Sequence, residues 1–145
     1  MAKIRARWVI FRWNEIFLVM PKWRRNKFFC LPWWKMDKWE DTISCLKREI
    51  VEELWVEPKV WNLVYINEYQ KKWKSNIDFW YNIENVEDFN NIDLSKTSHW
   101  KSEILTCWFY NLKDIDCPLM PENLPCIHFE LNENNGNFIQ KSTIL

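Results

Sequence analysis

A fold of the α/β class is predicted for this 145-residue chain by three observations. Its first third alternates apolar and polar residues as strands do. The stretch from Asp41 to Leu54 changes to helical spacing, and strand patterning returns between Val60 and Leu112. In order, Lys3 to Arg12 carries Ile4, Ala6, Trp8 and Ile10 on one parity, which makes a first strand. Glu15 to Met20 holds the apolar run Ile16-Phe17-Leu18-Val19, and Trp13-Asn14 between the two strands occupies a hairpin turn. Lys27 to Leu31 is a short third strand stopped by Pro32. Ile43, Leu46, Ile50 and Leu54 then recur at helical spacing with charges opposite, which predicts the one clear helix. Val60 to Tyr69, Ile77 to Ile83 and Ile104 to Leu112 read as strands, with a polar connection over Asn85 to Ser102. Pro121 to Phe129 suits a short C-terminal helix, and Asn132 to Asn137 a loop.

Size and charge exclude several classes of function. The length suits one domain over residues 1–145, with no room for a second. No run of 18 apolar residues occurs, and the start Met1-Ala2-Lys3-Ile4-Arg5 lacks a secretory apolar stretch, so a cytoplasmic protein that does not enter membranes is expected. Twenty basic residues balance twenty acidic ones, so no general attraction for nucleic acid is expected. Cys30, Cys45, Cys107, Cys117 and Cys126 are odd in number and form no CxxC pair, which indicates neither a disulfide framework nor a zinc knuckle. His99 and His128 are isolated, and spacing alone yields no Cys-His catalytic pair.

The composition is anomalous in one respect. At an average usage of about 7% the chain should hold roughly ten glycines. It holds one, Gly136, and 12 tryptophans. The excess nearly equals the deficit, and the tryptophans stand where turn chemistry wants glycine: Trp13-Asn14, Lys22-Trp23-Arg24, Pro32-Trp33-Trp34-Lys35, Lys72-Trp73-Lys74 and His99-Trp100-Lys101. Most of them read as glycines whose UGA codons were decoded as tryptophan. TGG codons at Trp33, Trp34, Trp39 and Trp55 in the gene would refute this. Trp80, inside Phe79-Trp80-Tyr81, suits a genuine tryptophan in a half-buried strand, while Trp108 can be read either way.

Chemistry concentrates in Arg48-Glu49-Ile50-Val51-Glu52-Glu53. At about 100° per residue, Glu52 falls about 60° to one side of Glu49 and Glu53 about 40° to the other, one turn on, so three carboxylates share a helix face. Such a cluster repels itself unless cations neutralise it. Carboxylate oxygens are hard ligands suited to Mg²⁺ or Mn²⁺, which also bridge to phosphate. Arg48 is placed to pair with a carboxylate of the preceding loop, for which Glu40 is the candidate. A solvated acidic helix face is the plainer reading, and the wider pattern is what overrides it.

From Leu31 to Val56 the chain resembles the Nudix box. In that motif a glycine is followed by five residues, Glu, seven residues, Arg-Glu, an aliphatic residue, any residue, Glu-Glu, any residue, glycine and an aliphatic residue. Glu40, Arg48, Glu49, Ile50, Glu52, Glu53 and Val56 match at that spacing, and the two departures, Trp34 and Trp55, both fall at glycine positions. The Leu-Pro-Gly-Gly lead-in appears as Leu31-Pro32-Trp33-Trp34, and Gly-Glu as Trp39-Glu40. A literal Trp55 just past the helix end carries a penalty of about 1 to 2 kcal/mol if it is left-handed. Literal Trp33 and Trp34 crowd a loop that must approach metal and phosphate, so the literal polypeptide is expected to fold poorly or lack activity.

The resemblance implies an α/β/α sandwich with a mixed sheet and a loop-helix-loop motif. It also implies Mg²⁺-dependent hydrolysis, in which water attacks the diphosphate of a nucleoside diphosphate derivative. Such a substrate is a nucleoside triphosphate, for example an oxidised dNTP, or a compound like ADP-ribose. Carried over by position, Glu49, Glu52 and Glu53 bind divalent cations, and Glu49 can also help activate water. The main-chain carbonyl of Trp33 is a further metal ligand, and Glu103 is a candidate late acidic ligand or base. Lys35, Arg24 and Arg25, with Lys22 and Lys27, are candidates to hold substrate phosphates; an exposed hairpin loop is the plainer reading of that basic run. Phe28, Tyr69 or Phe79 are candidates to recognise the base. Compact size favours a small nucleotide over a large partner, and oligomeric state is not legible. The alternative is a Nudix-like module that binds a nucleotide or protein without turnover. A third reading takes every tryptophan literally, for stacking on single-stranded nucleic acid, and the zero net charge and acidic helix oppose it.

Overall fold

The computed structural model describes residues 2–22, 25–96, 104–134 and 139–144. Strand β1, Lys3–Val9, is central, flanked in its sheet by β5, Trp33–Lys35, and β7, Lys74–Ile83. Next to β7 comes β6, Val60–Lys71, and then β10, Ile139–Ile144, giving the order β10-β6-β7-β1-β5. The sheet is mixed: β1 runs parallel to β7 and antiparallel to β5, β6 and β7 are antiparallel, and β10 runs parallel to β6. A central strand is covered on both faces, so Ala6 and Trp8 are buried on one side and Val9 on the other. Ile4, expected on the buried parity, is instead 42% exposed near the strand's start.

The expected first strand divides at Ile10, where the chain leaves one sheet for the other. In the second sheet β2, Phe11–Arg12, turns through Trp13-Asn14 into β3, Glu15–Pro21. β3 pairs with β4, Phe29–Cys30, and with β8, Ile104–Tyr110, while β4 also pairs with β9, Leu119–Met120. β5, β9 and β10 were not expected from the sequence. Two or three residues carry too little periodicity to show, and β10 falls where the pattern is polar.

Helix α1, Thr42–Leu54, starts at Asp41, whose side chain accepts a hydrogen bond from Ser44 N at 2.8 Å. It buries Leu46, Ile50 and Leu54 against Ala6, Trp8 and Ile10, and Cys45 is buried as well. Ile43 is exposed, and Cys45 takes the place expected for it. Helix α2, Leu124–Glu133, begins later than expected, carries Pro125 in its first turn, and lays Leu124, Ile127 and Leu131 on Tyr65 and Trp80. Two apolar clusters result, one beneath α1 and one beneath α2, with the sheets between them. No helix among the described residues is long and apolar enough to cross a membrane.

Four non-glycine residues have positive φ: Trp13 (57°), Trp39 (69°), Trp55 (58°) and Lys72 (48°). Three of the four are tryptophans, with side chains 93%, 101% and 62% exposed respectively. A bulky residue in the left-handed region is a steric outlier that glycine relieves. Trp73, beside Lys72 in the β6–β7 turn, is also fully exposed. Trp80, expected in a half-buried strand, is wholly buried, as is Trp8.

Candidate active site

The loop from Leu31 through Asp41 and the helix that follows are locked together by Arg48. Its Nε donates to Glu40 Oε1 at 2.9 Å and its Nη2 to Glu40 Oε2 at 3.0 Å, a two-pronged contact that ties helix to loop. Nη1 donates to Glu49 Oε1 at 2.7 Å and to Glu52 Oε2 at 3.4 Å, and Nη2 lies 3.5 Å from Asp37 Oδ2. The Glu40 carboxyl is held below its ordinary value chiefly by the Arg48 hydrogen bond, aided by the Asp37 backbone. Glu40, most strongly, and Glu49 in turn raise the Arg48 guanidinium. The expected Arg48–Glu40 pairing is present.

Glu49 behaves differently from its neighbour. Burial pushes its carboxyl up, Arg48 opposes that, and Glu52 and Glu40 add to it. Glu53 faces a cavity of about 560 Å³, whose walls include Phe28, Cys30, Trp33, Trp34 and Lys35. Cys45, under the helix, is a buried thiol pushed up to about 12 by desolvation, and it donates weakly to the Lys35 carbonyl at 3.8 Å.

Of the residues expected from sequence, Glu53, Lys35, Trp33, Trp34 and Phe28 therefore meet around one cavity. Glu40, Arg48, Glu49 and Glu52 form the adjoining charged network. Tyr69 lies opposite Asn76 in the β6–β7 ladder and Phe79 packs on the core, so neither lines the cavity. Arg25, Lys22 and Lys27 are exposed loop residues. Arg24 and Glu103 lie outside the described residues. Trp39 and Trp55 frame the motif at the turn before α1 and at the left-handed residue after it.

The donors suit a hard divalent cation in kind. They are carboxylates, and burial disfavours the charged form of Glu49, which a nearby positive charge would favour. They are not gathered for one as they stand: among the described residues no three acidic, histidine or cysteine side chains surround a common point. Glu49 and Glu52 are turned toward Arg48 instead. Two indole rings also occupy the loop: Trp34 stacks on Trp8 with centroids 6.2 Å apart and planes 3° apart, and Trp33 is 43% exposed at the cavity wall. Glycine at both positions would leave that volume open beside Glu53.

Sequence reasoning missed the cavity walls Cys30 and Ile104, which come together only when β3 joins β4 and β8. It also missed a buried ion pair, Arg7–Asp78, with Nε to Oδ2 at 2.9 Å. Its sequence signs were Arg7 beside the apolar run Trp8 to Ile10 and Asp78 beside Phe79-Trp80-Tyr81, and neither residue names the other as its partner.

Mixed sheets flanked by α1 and α2, with the acidic helix entered from a loop, make up a Nudix-type α/β fold. Three solved structures document it. A MutT protein from Methanosarcina mazei Go1 superposes with a TM-score of 0.71 at 16% identity, covering 92% of this chain and 95% of that one. A UDP-X diphosphatase gives 0.70 at 13% identity, covering 97% and 68%. An ADP-ribose pyrophosphatase from Streptococcus suis 89-1591 gives 0.65 at 15% identity, covering 99% and 100%. At these identities the likeness is one of fold. Compared by sequence, the chain matches no protein-family model and no curated protein.

Proposed function

We propose that the chain is a single-domain, Mg²⁺- or Mn²⁺-dependent Nudix pyrophosphohydrolase that cleaves the diphosphate linkage of a small nucleoside diphosphate derivative in the cytoplasm. One observation carries the reading. The residues matching the Nudix box by spacing fall on the loop and helix of a Nudix-type fold, with Glu53 at a cavity wide enough for a nucleotide moiety. Free thiols at Cys30, Cys45, Cys107, Cys117 and Cys126 suit a reducing compartment.

Glu49, Glu52 and Glu53, with the Trp33 carbonyl, are the groups that would hold the cation, and Glu103 is a further candidate. Bound there, the cation would neutralise the diphosphate and polarise it toward attack by water. The Glu49 carboxyl, pushed up by burial, is suited to take a proton from that water. Arg48 orients Glu49 and Glu52 and anchors the loop through Glu40. Phe28, at the cavity wall, is the aromatic available for the base, and Lys35 the cation available for phosphate; Arg24 and Arg25 remain candidates from the sequence alone.

Glycine at most of the tryptophan positions belongs to the same proposal. It is supported by the left-handed backbone at Trp13, Trp39 and Trp55, whose rings lie largely in solvent. The test is a chain carrying glycine wherever the gene reads TGA, assayed against a nucleotide panel. Hydrolysis that requires Mg²⁺, stops in EDTA, and is abolished by Glu49→Gln and by Glu53→Gln supports the enzyme. Nucleotide binding that survives both changes with no turnover would instead identify a non-catalytic Nudix-like module.

A further inference from the structure

Helix α1 carries Glu49, Glu52 and Glu53, and its seating decides where they point. Leu46, Ile50 and Leu54 bury into the cluster beneath it, which sets its depth. Apolar contact is non-directional, however, and leaves the helix able to turn about its axis. A turn of about 10° moves a carboxylate lying about 6 Å from that axis by about 1 Å. Misplacement on this scale costs up to about a hundredfold in rate. Directional contacts must therefore fix the rotation. Arg48 ties α1 to Glu40 of the loop before it, and Cys45 donates only weakly to the Lys35 carbonyl at 3.8 Å.

A further tie reaches the interior of the sheet. The Tyr81 hydroxyl on β7 and Thr42 Oγ1, on the first residue of α1, share a hydrogen bond at 2.5 Å across 39 positions of the chain. Tyr81 is 8% exposed and belongs to the apolar cluster beneath α1, while Thr42 is half-buried. A buried hydroxyl left unpaired is unfavourable, so this bond has a directional hold that the surrounding apolar contacts lack. Its place on the helix also matters. At about 100° per residue, Glu49 falls about 20° to one side of Thr42 and Glu53 about 20° to the other. The tether lies on the same stripe of α1 as both carboxylates.

We propose that Tyr81, acting through Thr42, is a positioning residue that fixes the rotation of α1 and with it the aim of Glu49 and Glu53. This rests on the pyrophosphohydrolase reading, and it adds a residue outside the motif from Leu31 to Val56 to the machinery.

The test uses the glycine-bearing chain with Tyr81→Phe, Thr42→Val, the two combined, and Thr42→Ser. Nucleotide hydrolysis, Mn²⁺ binding by electron paramagnetic resonance and thermal unfolding are followed in each. Either single loss of the bond should lower kcat by roughly ten- to a hundredfold, with KM nearly unchanged. Mn²⁺ binding should weaken several-fold in parallel, and Thr42→Ser, which keeps the oxygen, should restore most of what Thr42→Val loses. The double variant separates positioning from stability. It leaves no hydroxyl unpaired and should melt close to the parent, while kcat and Mn²⁺ affinity stay low. Recovery of kcat together with melting temperature in the double variant, or unchanged kcat in both single variants, overturns the proposal. A parent that binds Mn²⁺ yet hydrolyses no nucleotide refutes the enzyme reading, and Mn²⁺ affinity then decides the role of Tyr81. A parent that does neither overturns both.

Discussion

Replacing Trp13 and Trp39 together by glycine should stabilise the protein, and the size of the gain follows from the backbone. Both residues are left-handed, at φ 57° and 69°, and both side chains are almost wholly in solvent, so removing the rings forfeits almost no burial. A side chain in that region is unfavourable by about 1–2 kcal/mol per residue, or about 2–4 kcal/mol for the two. Glycine's extra freedom in the unfolded chain takes back about 0.5–1 kcal/mol at each site. The net gain spans about 0–3 kcal/mol with a midpoint of about 1.5 kcal/mol, which for a domain near this size raises the melting temperature by about 3–6 °C. Thermal unfolding followed by circular dichroism measures it. The control is the Trp13→Ala, Trp39→Ala protein, which loses the same rings and keeps each Cβ. A glycine variant melting no higher than this control would show that backbone handedness does not favour glycine at these turns.

Other outcomes can be checked alongside. Arg48→Ala should lower the melting temperature at neutral pH. Because Arg48 depresses the Glu40 carboxyl, that stability is present above the unfolded value and is lost as pH falls through the folded one, so the gap from the parent should close in acid. Ile50→Ala, at a fully buried helix position, should destabilise by about 2–5 kcal/mol in urea unfolding. In the glycine-bearing chain, Glu53→Gln should reduce kcat by about a hundredfold or more, read by nucleotide hydrolysis. Phe28→Ala there should raise KM for several nucleotides while leaving kcat nearly unchanged.

The legible parts were those set by local rules. The period of Leu46, Ile50 and Leu54 marks α1, and the spacing from Glu40 to Glu53 marks the charged loop and helix, because residues one turn apart must share a face. The shortage of glycine was equally legible, since turn geometry demands that residue whatever surrounds it. Left-handed backbone at Trp13, Trp39 and Trp55 agrees with that demand.

Only the tertiary structure decided which groups meet across distant segments. Phe28 rather than Tyr69 or Phe79 lines the cavity, because pairing of β3 with β4 brings it there while the other two lie in the β6–β7 ladder. The cover of Trp33 on Arg5 and the sharing of Asp78 by two arginines arise from register between β1, β5 and β7, strands some thirty to seventy positions apart in the chain. No sequence period encodes such register, since a strand specifies which face a side chain takes and leaves its partner to be chosen by packing.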